Sequence, residues 1–149
     1  MPETSIRIRG LGLVSSYGLG VACAVEGIRA GRAGITPLTL FSLPFQDRIQ
    51  VNQFDHASFP PGSACATAAM ETAAHEALTE ARIDRDALRE AALVMGTGSF
   101  MFAGESDYRL TLAATGQAVM PPLVPPGLAA LRVAKALGIE GPVLTLTTA

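Results

Sequence analysis

Residues 6–14 begin with strict alternation, Ile6 and Ile8 against Arg7 and Arg9, and then turn apolar through Gly10-Leu11-Gly12-Leu13-Val14. Period-two alternation that becomes continuous predicts a first strand entering a buried sheet. Ser15, Ser16, Gly18 and Gly20 mark a turn, after which Val21, Ala24, Val25 and Ile28 recur at helical spacing and Gly31 supplies a stop. From Ala66 the apolar positions Ala69, Met70, Ala73, Ala74, Ala77, Leu78 and Ala81 keep to one face of a second helix, and so much alanine predicts close packing against a neighbour. Asp84 or Asp86 can cap a short third helix. Ala91-Ala92-Leu93-Val94-Met95 runs continuously apolar into Gly96-Thr97-Gly98, the pattern of a strand buried on both faces. Leu128, Leu131, Ala134 and Leu137 predict a helix that stops at Gly138, and residues 143–148 alternate Val or Leu with Thr as a last strand.

Helices that separate strands in this order imply an α/β fold with a parallel or mixed sheet in layers. Residues 32–62, with Pro37, Pro44, Pro60 and Pro61 among scattered phenylalanines, predict a structured excursion without a regular element. The chain ends on its last strand. In open α/β sheets the chemistry lies just beyond the carboxyl ends of the strands, so the 149 residues are expected to be incomplete as a folding unit.

Composition narrows the partners. With 49% hydrophobic and 16% charged residues the chain can bury a core, and a net charge of -2 with dispersed basic residues offers no stripe for a phosphate backbone. Nucleic acid is therefore excluded as an expected partner. No apolar run reaches the length of a membrane span and no basic region precedes an apolar one at the amino terminus, so the expectation is a cytoplasmic protein. Cys23 and Cys65 lack CxxC spacing and a histidine pair, which reads as two buried free thiols and no metal site.

Three segments together resemble the β-ketoacyl synthases, the decarboxylating condensing enzymes of fatty-acid and polyketide synthesis. Ile8-Arg9-Gly10-Leu11-Gly12-Leu13-Val14-Ser15-Ser16-Tyr17-Gly18, followed by a helix and Ala30-Gly31-Arg32-Ala33-Gly34-Ile35, is similar to that family's opening strand, glycine-rich turn and "AGxSGI" stretch. Leu93-Val94-Met95-Gly96-Thr97-Gly98 resembles its second core strand. Leu137-Gly138-Ile139-Glu140-Gly141-Pro142 with Leu146-Thr147-Thr148-Ala149 resembles the "LGLxGP...TAC" run into the nucleophile. The resemblance implies a thiolase-like layered α-β-α fold, of which residues 1–149 would supply the first part of the amino-terminal half, three core strands with their helices.

In that family a cysteine on a sharp strand-to-helix turn takes the acyl group from the phosphopantetheine of an acyl carrier protein. A helix N-terminus lowers its pKa and backbone N–H groups hold the oxyanion. Two histidines, or a histidine and a lysine, assist loss of CO₂ from malonyl, and the carbanion attacks the thioester. By the resemblance the cysteine would follow Ala149, and Thr147, Thr148 and Ala149 would aim its turn. Ser99, Phe100, Leu123 and Val124 would gate or line the acyl tunnel. The resemblance also implies a homodimer, or a heterodimer with a synthase homologue, and no cofactor beyond the carrier's phosphopantetheine. The catalytic His and Lys would belong to a second half; His56 and His75 match neither position.

Two departures touch the acyl region. Pro125-Pro126-Gly127 leads directly into Leu128 where the family has a longer helix with an Asn-x-x-Ala-Gly stretch, and Ser99-Phe100-Met101 replaces the usual glycines. They favour a second reading, a non-catalytic homologue of the chain-length-factor kind that binds and shapes. A third, nucleotide binding through Gly10-Leu11-Gly12, meets Ser15 where the fingerprint needs its third glycine.

Overall fold

The structure, a computed structural model, describes residues 5–39, 48–60, 63–97, 108, 111–117 and 126–147. The chain divides into two compact units, Met1–His56 with Thr72–Arg82, and Ala57–Glu71 with Ile83–Ala149.

In the first unit a tight hairpin, β1 (Val14–Ser15) and β2 (Gly18–Leu19), leads into helix α1 (Val21–Arg29). The predicted turn and helix are both present, but α1 buries a different face from the one its apolar residues mark. Ala24 and Gly27 are buried, while Ile28 is 66% exposed. The Tyr17 ring lies on Gly27, where any β-carbon would collide with it, and the Tyr17 hydroxyl donates to the carbonyl of Arg32 at 3.1 Å. Small residues therefore face inward because an aromatic ring already fills the space. Within the predicted excursion, β3 (Thr36–Pro37) and β4 (Gln50–Val51) form a short antiparallel ladder beside the buried Leu38.

The first strand is the element that differs most from its pattern. Residues 5–13 carry no ladder, and Ile6 is 95% and Ile8 82% exposed. Two of their N–H groups donate instead to side chains of helix α2 (Ser63–Ala81): that of Leu11 to Glu80 Oε2 at 2.6 Å and that of Leu13 to Glu76 Oε2 at 2.9 Å. Alternation reports which residues prefer a sheet face, but a strand also needs a neighbour's backbone. Here carboxylates take that place. The alanine stripe of α2 does pack closely, and its contact is with backbone: Gly10 and Gly12 lie against the carbonyls of Ala77 and Ala73, with no room for a β-carbon.

The second unit contains the parallel pair. Helix α3 (Arg85–Arg89) is capped by Asp84, whose side chain accepts from the Ala87 N–H at 2.8 Å. Asp84→Ala is expected to cost about 1 kcal/mol of unfolding free energy, read from urea denaturation, and an unchanged midpoint would refute the cap. Strand β5 (Leu93–Thr97), helix α4 (Pro126–Leu137) and strand β6 (Val143–Thr147) form a β-α-β unit, with β5 and β6 parallel and paired from Leu93–Val143 to Thr97–Thr147. Gly138 ends α4 at φ 74°, with its N–H on the Lys135 carbonyl and that of Ile139 on Ala134, the paired closure of a glycine C-cap. Residues 111–115 are also helical, in a stretch whose sequence shows no regular apolar spacing.

The core of this unit is Met95, Ala129, Ala130 and Val133, with Met70, Leu93, Leu137 and Val143 packed around it. It lies between α4 and one face of the strand pair. On the opposite face Val94, Leu144 and Leu146 are each more than half exposed, so β5, whose apolar run predicts burial on both sides, is covered on one. A continuous apolar run records two covering layers, whereas within this unit α4 supplies the one that Leu93, Met95 and Val143 meet.

Candidate functional site

The two ends of the β5–β6 pair differ. At the amino end the backbone is closed: the Glu140 and Gly141 N–H groups both donate to the Arg89 carbonyl, at 2.8 and 3.2 Å, and the Leu93 N–H donates to Pro142 at 2.9 Å. Gly141 lies against the carbonyls of Ala91 and Glu90, and Arg89 and Glu140 add an exposed ion pair at 3.5 Å. This clamp fixes the register with which both strands start. At the carboxyl end the ladder finishes on Thr97 beside Thr147.

Parallel register puts Thr97 and Thr147 on the same face, the one that carries Met95 and Thr145 toward α4. A β-carbon on Gly127, in the first turn of α4, would stand 3.8 Å from Thr145 Oγ1, so that turn reaches over the strand close to its carboxyl end. Thr147 is exposed and Thr97 half-buried. Any chain leaving Thr147 therefore departs from a pinned strand, beside a second strand of the same direction. Sequence reasoning singled out Thr147 and passed over Thr97. The available signal was that each strand run, the continuous apolar one of β5 and the alternating one of β6, ends on a threonine.

Of the other residues assigned to the site by resemblance, Thr148, Ala149, Ser99, Phe100, Leu123 and Val124 lie outside the described residues. Neither cysteine is in a disulfide; Cys65 is buried and Cys23 half-buried. Burial pushes the Cys65 thiol up from its ordinary value, which keeps it protonated and a poor nucleophile. His75 is exposed on α2. Among the described residues no group of three His, Cys, Asp or Glu could hold a metal, and no helix is long and apolar enough to cross a membrane.

The Gly10-Leu11-Gly12 stretch serves packing. In a phosphate loop the N–H groups after the strand and at the helix start would face an anion from outside the chain. Here the Leu11 and Leu13 N–H groups donate to Glu80 and Glu76, and the Val21 N–H at the start of α1 donates to Glu76 Oε1 at 2.8 Å. The protein's own carboxylates occupy the positions a phosphate would need, and their charge repels one.

A β-α-β unit whose parallel strand pair is clamped at the amino end through Arg89 and Pro142, with Thr97 and Thr147 side by side at the carboxyl end, defines an α/β protein. The family description "Beta-ketoacyl synthase, N-terminal domain" matches residues 3–149, and the chain belongs to this family, with its thiolase-like fold. Among solved structures it is similar to the ishigamide ketosynthase/chain length factor, at 24% identity and a TM-score of 0.69 over 95% of this chain. It is also similar to the ketosynthase from module 6 of the bacillaene synthase from Bacillus subtilis 168, at 16% identity and a TM-score of 0.63 over 94% of this chain. The chain spans 39% and 26% of the lengths of those two solved chains. A comparison with curated protein sequences found no match.

Proposed function

We propose that the protein is a component of a β-ketoacyl synthase that condenses an acyl thioester with a malonyl thioester carried on acyl carrier protein, in fatty-acid or polyketide synthesis. The observation that supports this reading is the family match over residues 3–149, together with the parallel end that sets Thr97 beside Thr147. In this reading a cysteine follows Ala149, and Thr147, Thr148 and Ala149 aim it. Its thiolate attacks the acyl thioester and expels the carrier's thiol. Loss of CO₂ from malonyl then gives a carbanion equivalent that attacks the acyl carbon and returns the electron pair to the cysteine sulfur. Ser99, Phe100, Leu123 and Val124 shape the acyl channel. The protein works as a dimer, with itself or with a synthase homologue, in the cytoplasm, and takes no cofactor beyond the carrier's phosphopantetheine.

The second reading, a chain-length-factor-like partner without a nucleophile, is favoured by Ser99-Phe100-Met101 standing where glycines are usual. One experiment separates the two. The complete protein is incubated with acyl-carrier thioester and its tryptic peptides are weighed. An acyl adduct on the residue after Ala149, abolished when that residue is changed to alanine, supports the condensing enzyme. No adduct, with condensation appearing once a synthase homologue is added, supports the shaping partner. No adduct and no condensation in either setting overturns both.

A further inference from the structure

Two carboxylates and two glycines are spaced to match one another. Along the amino-terminal segment the glycines are Gly10 and Gly12 and the donated N–H groups those of Leu11 and Leu13; along α2 the carbonyls met are Ala77 and Ala73, and the acceptors Glu80 and Glu76. Two residues of extended chain advance about 6.7 Å. Four residues of α-helix advance about 6.0 Å. The two repeats are nearly commensurate, so a segment running antiparallel to the helix meets one glycine contact and one carboxylate per helical turn.

We propose that Gly10, Gly12, Glu76 and Glu80 form a register lock that admits one placement of the amino-terminal segment on α2. A slip of one residue puts the β-carbons of Leu11 and Leu13 onto the helix carbonyls. A slip of two residues brings Ile8 to Ala77 or Val14 to Ala73, again where no β-carbon fits. The glycines exclude the wrong placements and the glutamates reward the right one. Glu76 has a further role, since its other oxygen takes the Val21 N–H. One carboxylate thus ties α2 to both the incoming segment and the first turn of α1, where negative charge is favoured by the helix dipole. The lock ties Leu11 and Leu13, before the β1–β2 hairpin, and Val21, after it, to side chains of a single helix.

Site-resolved amide hydrogen exchange on the full-length protein tests this. In the wild type the Leu11, Leu13 and Val21 amides are protected. E80A speeds exchange at Leu11 about tenfold or more and leaves Leu13 and Val21 as they were, while E76A speeds Leu13 and Val21 by a similar factor and spares Leu11. Alanine is the better helix former, so neither change weakens α2 by itself. The Met95 and Val133 amides serve as the reference and stay unchanged. Rapid exchange of the three amides in the wild type overturns the lock without any variant. So does unaltered exchange in both variants, acceleration that includes Met95 and Val133, or any other pairing of glutamate with amide.

Discussion

Gly12→Ala is expected to lower the unfolding free energy by about 3 kcal/mol, more than most single changes of one methyl group. The added carbon has nowhere to go: it would meet the carbonyl oxygen and carbon of Ala73 and the amide nitrogen of Ala77, all backbone of a helix that cannot yield by rotating a side chain. Separating the segment from α2 to make room would also stretch the bond from the Leu13 N–H to Glu76, which runs across the same contact. Gly96→Ala is the matched control. It adds the same methyl in the middle of β5, at a position with no heavy atom within 4 Å of the new carbon and no positive φ. Relief of unfolded-state entropy makes it neutral or stabilising by roughly 0.5 kcal/mol. Urea midpoints of the two variants give the comparison directly. Equal losses for both would mean that glycine is needed in general and that the contact with Ala73 is incidental.

Ala130→Leu should also cost about 3 kcal/mol, for the same kind of reason in the other unit. Ala130 is fully buried, and with Ala129 and Val133 it sets how near α4 comes to the strand pair. Three extra carbons must push the helix outward or force neighbouring side chains off their rotamers. The strands cannot recede as easily, because β5 and β6 are joined by a five-pair ladder and clamped at the amino end through Arg89 and Pro142. Leu131→Ala, on the exposed side of the same helix, should shift stability by no more than about 0.5 kcal/mol. The near-ultraviolet signal of the tyrosines offers little leverage here, so chemical denaturation followed by far-ultraviolet circular dichroism is the suitable measurement. If Ala130→Leu proves as mild as Leu131→Ala, α4 is not the layer that positions Thr97 and Thr147. The carboxyl end of the strand pair would then owe its geometry to something other than this helix.

Local pattern placed the regular elements that are stabilised by their own residues. Helix α1 lies within the predicted span, Asp84 caps α3, and α4 and β6 end within a residue of the positions marked by Gly138 and the Val/Leu/Thr alternation. These signals are legible because a cap or a turn residue satisfies backbone groups a few positions away, whatever the rest of the chain does. The family resemblance was legible for a related reason: a glycine-rich turn or an LGxxGP corner is dictated by nearby backbone geometry. The alternation into Thr147 is of the same local kind, and β6 ends on that residue.

What only the tertiary structure decided was who pairs with whom. The apolar alternation of residues 6–14 could not reveal that Leu11 and Leu13 would donate to glutamates 69 and 63 positions away, respectively, and not to another strand. The stripe on α1 could not show that the Tyr17 ring would turn Gly27 inward and leave Ile28 in solvent. Nor could the run into Thr97 announce that Thr147 would stand beside it, because register between strands 50 residues apart is set by the Arg89 clamp and the packing of α4. Hydrophobicity states that a residue prefers to be covered; the identity of its cover is a long-range choice, made by the shapes and hydrogen-bonding groups of the elements that meet it.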